Sequence, residues 1–233
     1  VKLDEQCPSI DSYYTLRRNM TKYQEETGVD LFDKCFKGIT RKQALEYRIS
    51  GKAVRMDSKL ISSNIAWFSR YEIIHETLMQ QVSKSEIESI EDQLIRQQAL
   101  DFYEEDAQKT IYRTDSETME KRLLTLGIVI DYILTHSPED SKPLLSRVFN
   151  EQYDKAEDGT VTVRDKKLVS AKSVQNPNDP DAHYRSKAGK KVKGFSTNIT
   201  ETCDEENKPN LITDVEVKGA TTADNTYVES GVK

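Results

Sequence analysis

A chain of 233 residues with 36% hydrophobic and 32% charged side chains can bury a core, which excludes a wholly disordered polymer. No apolar run approaches the ~20 residues that cross a bilayer; the longest cluster, Leu123 to Leu134, is interrupted by Thr125, Gly127 and Asp131. A net charge of −6 argues against a nonspecific nucleic-acid coat but leaves a DNA enzyme open, because the charge that matters is local to the phosphates.

Cys7, Cys35 and Cys203 are odd in number, far apart and without C-x-x-C spacing, so neither a disulfide framework nor a zinc knuckle is expected. His75, His136 and His183 are equally scattered. The charged start Lys2, Asp4, Glu5 is no signal peptide, and a cytoplasmic protein without membrane association is the expectation. The chain opens at Val1 and stops at Lys233 inside a stretch that reads as helix, which suggests a fragment of a longer reading frame.

Residues 1–53 read as a helical domain of three short helices. Tyr13, Leu16, Met20 and Tyr23 fall at helical spacing after Pro8-Ser9, and Gly28 ends that helix. Leu31, Phe32, Cys35 and Phe36 form a second apolar face closed by Gly38, and Thr40 with Gln43 opens a third helix as a capping box. Arg17, Arg18 and Lys22 share one side of the first helix, as a solvated face or as phosphate contacts.

Val54, Met56, Leu60 and Ile61, bounded by Gly51 and by Ser62-Ser63-Asn64, predict a buried strand with Asp57 at its middle. A carboxylate is expensive to bury unless paired or metal-bound. Asp57 is therefore either a surface residue at a strand end or a metal ligand.

Residues 64–150 read as an all-helical insert. Ile74, Leu78, Gln81 and Val82 carry its first long helix. Ser85 with Glu88, and Thr114 with Glu117, are candidate caps for the next two. The stripe Met119, Leu123, Leu126, Ile130, Ile133 steps by 4, 3, 4 and 3, which favours packing against neighbouring helices. Pro138 is expected to start a last helix bearing Leu144, Leu145, Val148 and Phe149.

Residues 151–173 form a connection with a short strand at Val161 and Val163. The run 176–181, with Pro177 and Pro180, is an extended loop in which Asp179 and Asp181 cap turns or orient a metal. Next, Arg185, Lys187, Lys190, Lys191 and Lys193 occur with no acid among them. They are candidate DNA-binding residues; the alternative is a solvated loop leading to an edge strand blunted by lysine. Tyr184 is a packed tyrosine or a platform for an unpaired base. Residues 192–201 alternate as a strand, 203–210 turn, 211–217 form a second strand of a hairpin, and Thr221 to Tyr227 begins a helix.

An acid on a first strand, then an antiparallel pair and a helix, is the order of elements in a ribonuclease-H-like core. The fold class expected is α+β, with that core incomplete (54–63 and 174–233) and interrupted by the helical insert. Several stretches resemble the DDE transposases of bacterial insertion sequences: VRMDSKLISSNIAWFSRYEIIHETL at 54–78, QNPNDPDAHYRSKAGKKVKGFSTNITET at 175–202, and NLITDVEV at 210–217 followed by TTADN. CPSIDSYYTLRR and DLFDKCFKGIT look like that family's N-terminal helical domain. The resemblance implies binding to transposon ends and metal-dependent strand cleavage and transfer, with two Asp and one Glu holding a pair of Mg²⁺ or Mn²⁺ ions. It gives Asp57 the place of the first Asp and metal ligand, and it implies homodimers. The family's second Asp and its Glu lie beyond the point where this chain ends. A transposase fragment inactive in strand cleavage is therefore the expectation. A non-catalytic DNA-binding or dimerising remnant, and a helical interaction protein, are the other readings.

Overall fold

In a computed structural model the described residues are 8–64, 66–138, 140–187, 189–203 and 208–228. Helices and antiparallel strands make a mixed α+β chain. It divides into two compact units. The first holds Val1–Ser58, Asn198–Glu216 and Asp224–Lys233; the second holds Lys59–Thr197 and Val217–Ala223.

In the first unit, α1 (Ile10–Thr27) starts where the Ser9 hydroxyl accepts the Ser12 N–H at 3.2 Å. It ends at Gly28, whose φ of 71° is the left-handed cap conformation that glycine adopts without strain. α2 (Leu31–Glu46) is capped by Asp30, which accepts the Asp33 N–H at 3.0 Å. The expected stop at Gly38 does not occur. Gly38 stays helical, and Thr40 donates its hydroxyl to the carbonyl of Ile212 instead of opening a new helix. No residue of α1 or α2 is buried, and Tyr13, Leu16 and Phe32 are about half exposed.

β1 (Val54–Ser62) is not the buried strand its apolar content predicts. Val54, Met56, Ser58 and Leu60 are half-buried on one face, while Arg55, Asp57 and Lys59 are exposed on the other. Strict period-2 alternation is the mark of a sheet with one wet face. β1 pairs with β5 (Lys190–Thr202), which also pairs with β4 (His183–Lys187) and β6 (Ile212–Gly219). The 203–210 connection between β5 and β6 lies partly outside the described residues, and Asp224–Tyr227 is a 3-10 turn followed by helical Val228, the last described residue.

The second unit contains the helices between residues 70 and 152. α3 (Arg70–Gln81) and α4 (Lys84–Glu88) each begin with a capping box, Ser69/Glu72 and Ser83/Glu86. Ser83 displaces the expected Ser85/Glu88 cap, because its hydroxyl and the Glu86 carboxylate satisfy each other's backbone N–H groups. α4 therefore lasts about one turn. α5 (Gln93–Tyr103) restarts at Asp92, and Leu94 is 67% exposed. After α6 (Ala107–Arg113), α7 (Ser116–His136) is capped by Asp115 rather than Thr114. The Asp115 carboxylate takes both the N–H and the hydroxyl of Thr118. α8 (Pro143–Gln152) starts at Pro143, not Pro138, whose carbonyl closes a turn by accepting the Ser141 N–H. β2 (Tyr153–Lys155) and β3 (Val161–Val163) then pair antiparallel, Lys155 opposite Val161.

The predicted stripe of α7 is the spine of this core. Leu126 and Ile130 are fully buried, with Ile74, Leu78, Ile87, Leu145 and Val148 around them. Gly127 lies on the same side because a Cβ there would sit 2.3 Å from Cε1 of the buried Tyr153 ring. Tyr153 in turn donates its hydroxyl to the Leu123 carbonyl at 2.8 Å. A second close approach fixes the sheet: a Cβ on Gly194 would meet the carbonyl oxygen of Ile61 at 2.2 Å and the nitrogen of Ser63 at 2.5 Å.

Candidate functional site

Three contacts along the β1–β5 ladder share one antiparallel register. The Cys203 N–H donates to the Ala53 carbonyl at 3.1 Å, Arg55 Nε lies 2.5 Å from Glu201 Oε1, and the Ser58 hydroxyl donates to Asn198 Oδ1 at 3.2 Å. In that register Asp57 stands opposite Ile199, itself 39% exposed. Asp57 is thus an exposed carboxylate in the middle of a strand, facing solvent. Glu201, the acid nearest along the partner strand, is committed to Arg55.

Among the described residues, no group of three or more His, Cys, Asp or Glu side chains is arranged to hold a metal. Two divalent cations need several oxygen ligands each. One carboxylate at Asp57 does not fit that requirement, so the implied Mg²⁺ or Mn²⁺ pair is not accommodated by the acids described.

The run of basic residues forms β4 and the start of β5, a hairpin rather than the loop expected from its glycine and lysine content. Tyr184 pairs with Lys193, Arg185 with Val192, Ser186 with Lys191 and Lys187 with Lys190. The five candidate DNA-binding residues separate by role. Lys187, Lys190 and Lys191 are exposed around Gly189, whose φ of 78° makes the turn. Arg185 is half-buried and donates to the carbonyls of Ala220 (3.0 Å) and Thr222 (3.3 Å), so it ties the hairpin to the chain after β6. Lys193 is buried. Its ammonium donates to the Phe68 carbonyl at 3.2 Å and lies 5.0 Å from the centroid of the Trp67 ring. Burial pushes the Lys193 ammonium below its ordinary value, with Glu72 opposing that shift.

The sequence reading missed Trp67 as a site residue. The connection that carries it is held from several sides: Asn176 Nδ2 donates to the Ala66 carbonyl at 3.2 Å, Lys193 holds Phe68, and Ser69 begins the α3 capping box. Asp179 plays the loop-fixing part foreseen for it, accepting the Ser63 hydroxyl. Asp181 is exposed and lies 3.8 Å from Arg147. No period in the sequence links 63–69 to 176–193, so only the pair Trp67-Phe68 before a helix stands out there.

No family model, no curated protein and no solved structure matches the chain.

Proposed function

We propose that this chain is a DNA-binding segment of a DDE-type transposase, with β1, β5 and β6 as the opening strands of a ribonuclease-H-like core. The observation that carries the reading is the placement of Asp57. It is solvent-facing at the centre of the first strand, and that strand lies against an antiparallel partner which pairs onward with β6. The exposed Lys187, Lys190 and Lys191 supply the local positive charge that a net charge of −6 conceals. DNA at transposon ends is the partner, and pairing of two copies follows from the resemblance.

Among the described residues Asp57 belongs to no group of three metal-ligating side chains, and a non-catalytic DNA-binding remnant is the second reading. Both are tested on the 233-residue chain. Fluorescence anisotropy with a labelled duplex at about 50 and about 200 mM salt should show affinity falling steeply. Replacing Lys187, Lys190 and Lys191 with alanine should flatten the log–log slope by ~0.9 for each phosphate that is no longer neutralised. Salt-insensitive binding, or none, would instead favour a helical interaction protein. Mg²⁺-dependent cleavage abolished by Asp57→Ala would overturn the assignment of these residues to binding alone.

A further inference from the structure

We propose that Trp67 is a stacking platform for an unpaired base of single-stranded DNA, whose backbone phosphates meet Lys191 on the same sheet face as Lys193. The proposal rests on the DNA-binding reading above and names the form of DNA that this surface takes.

Trp67 is the only tryptophan of the chain, and it is 57% exposed although its backbone is fixed on both sides. An anchored, exposed indole is costly to hydrate and gains nothing from the core. One ring face is occupied by the Lys193 ammonium at 5.0 Å, which holds the ring in one orientation through a cation–π contact. The other face is the one left for a ligand.

The surroundings specify that ligand by charge. Lys191 leaves β5 two residues before Lys193, on the same sheet face and ~7 Å along the strand. It is exposed, while the Lys187–Lys190 pair, one step along the ladder, adds positive charge at the hairpin turn from the opposite face. Glu72, whose field reaches Lys193, is occupied by the Ser69 N–H at 2.6 Å. A planar π face on the side of the hairpin that carries Lys193 and the exposed Lys191 complements a chain that alternates planar bases with phosphates. Stacking of this kind tolerates any base, because each presents a π face. A blunt duplex hides those faces in its own stack and reaches the lysines only.

Because Trp67 is the sole tryptophan, its emission reports the contact directly. The wild-type chain is titrated with oligo-dT and with a blunt duplex of equal length at one salt concentration. Emission should be quenched by oligo-dT and not by the duplex. Trp67→Ala should weaken oligo-dT binding roughly 5- to 150-fold while duplex affinity stays within about twofold. Trp67→Phe should keep most of the single-strand affinity. Oligo-dT binding without quenching, or equal quenching by the duplex, would overturn the stacking role and leave the DNA-binding reading standing. Failure to bind either DNA would overturn both. A blue shift on anionic vesicles without any response to oligo-dT would assign the indole to a membrane surface instead. The wild-type titration decides the matter even if Trp67→Ala folds poorly.

Discussion

Replacing Gly127 with alanine puts two well-measured effects in opposition inside one helix. Glycine in a helix interior is ~1 kcal/mol less favourable than alanine, so propensity alone predicts that Gly127→Ala stabilises α7. Packing predicts the reverse. The added Cβ would lie 2.3, 2.6 and 2.9 Å from Cε1, Cδ1 and Cζ of Tyr153, and ordinary contact begins at 3.4 Å. The ring must therefore retreat by more than 1 Å, and it has little room to do so. Tyr153 is 2% exposed, stacks on Phe149 with centroids 5.3 Å apart, and is anchored by its hydroxyl on Leu123. Overpacking costs ~1–3 kcal/mol, and the loss of a buried hydrogen bond adds ~1 kcal/mol. Against the propensity gain, the net destabilisation is about 2 kcal/mol. For a chain of this size that lowers Tm by roughly 4–8 °C. Thermal melts by circular dichroism of the wild type, Gly127→Ala, Tyr153→Ala and the double variant measure it. The double variant should be more stable than the sum of the single effects implies, because removing the ring makes room for the methyl. A Tm for Gly127→Ala above the wild type's would refute the packing argument.

Further outcomes follow from other contacts. Gly194→Ala should break the β1–β5 ladder near Ile61 and Ser63, since both obstructing atoms belong to the backbone and cannot rotate away; amide hydrogen exchange of β1 should accelerate strongly, and native protection there would count against the close approach. Glu105 is nearly buried and takes both the Tyr71 hydroxyl and the Arg122 guanidinium, so Glu105→Leu should cost toward the low end of ~3–5 kcal/mol in chemical denaturation, Arg122 being 35% exposed and able to recover some hydration. Hydrogen bonds from Lys142, and then from Ser83, hold the Glu86 carboxyl down to about 2 from its ordinary 4.5. That stabilisation is present above pH 4.5 and disappears as pH falls toward 2. The Tm gap between wild type and Glu86→Gln should therefore close over that window, and it stays modest throughout because the Glu86 side chain is 51% exposed. A gap that widened in acid would contradict the sign.

The α7 stripe was legible because each side chain's environment follows from that element's own period. Leu126 and Ile130 are buried for the reason their spacing gives; residues 192–201 do form a strand, but Lys193-Gly194 and Ser196 to Asn198 are buried in succession, so the expected alternation of faces does not appear. Boundaries were less legible where caps compete within two residues, as Ser83 does with Ser85 and Asp115 with Thr114; the outcome turns on which side chain reaches the free N–H groups. The strand β4 was hidden because Arg185, Ser186 and Lys187 run into the glycine turn at Gly189 with no apolar alternation, and pairing with β5 supplies what the local pattern lacks. Asp57 was placed correctly at mid-strand, and its exposure matches the surface alternative, though not at a strand end; what failed was the expected burial of the strand, since Val54, Met56 and Leu60 all fall on one parity and only Ile61 beside Leu60 suggested burial on both faces. The union of Trp67 with Lys193, like that of Tyr71 with Glu105 and Arg122, joins residues too far apart in sequence for any window to reveal.

The Arg70 guanidinium, at the first residue of α3, donates to the carbonyl of Gln152, the last residue of α8, at 2.7 Å. The helical segment 70–152 thus begins and ends at nearly the same point in space. A module whose two ends meet can be grafted into a loop, or removed from one, without stretching the chain that hosts it. Its history need not be that of the strands on either side. Relatives with an insert of different length, or with none, would be compatible with the same sheet.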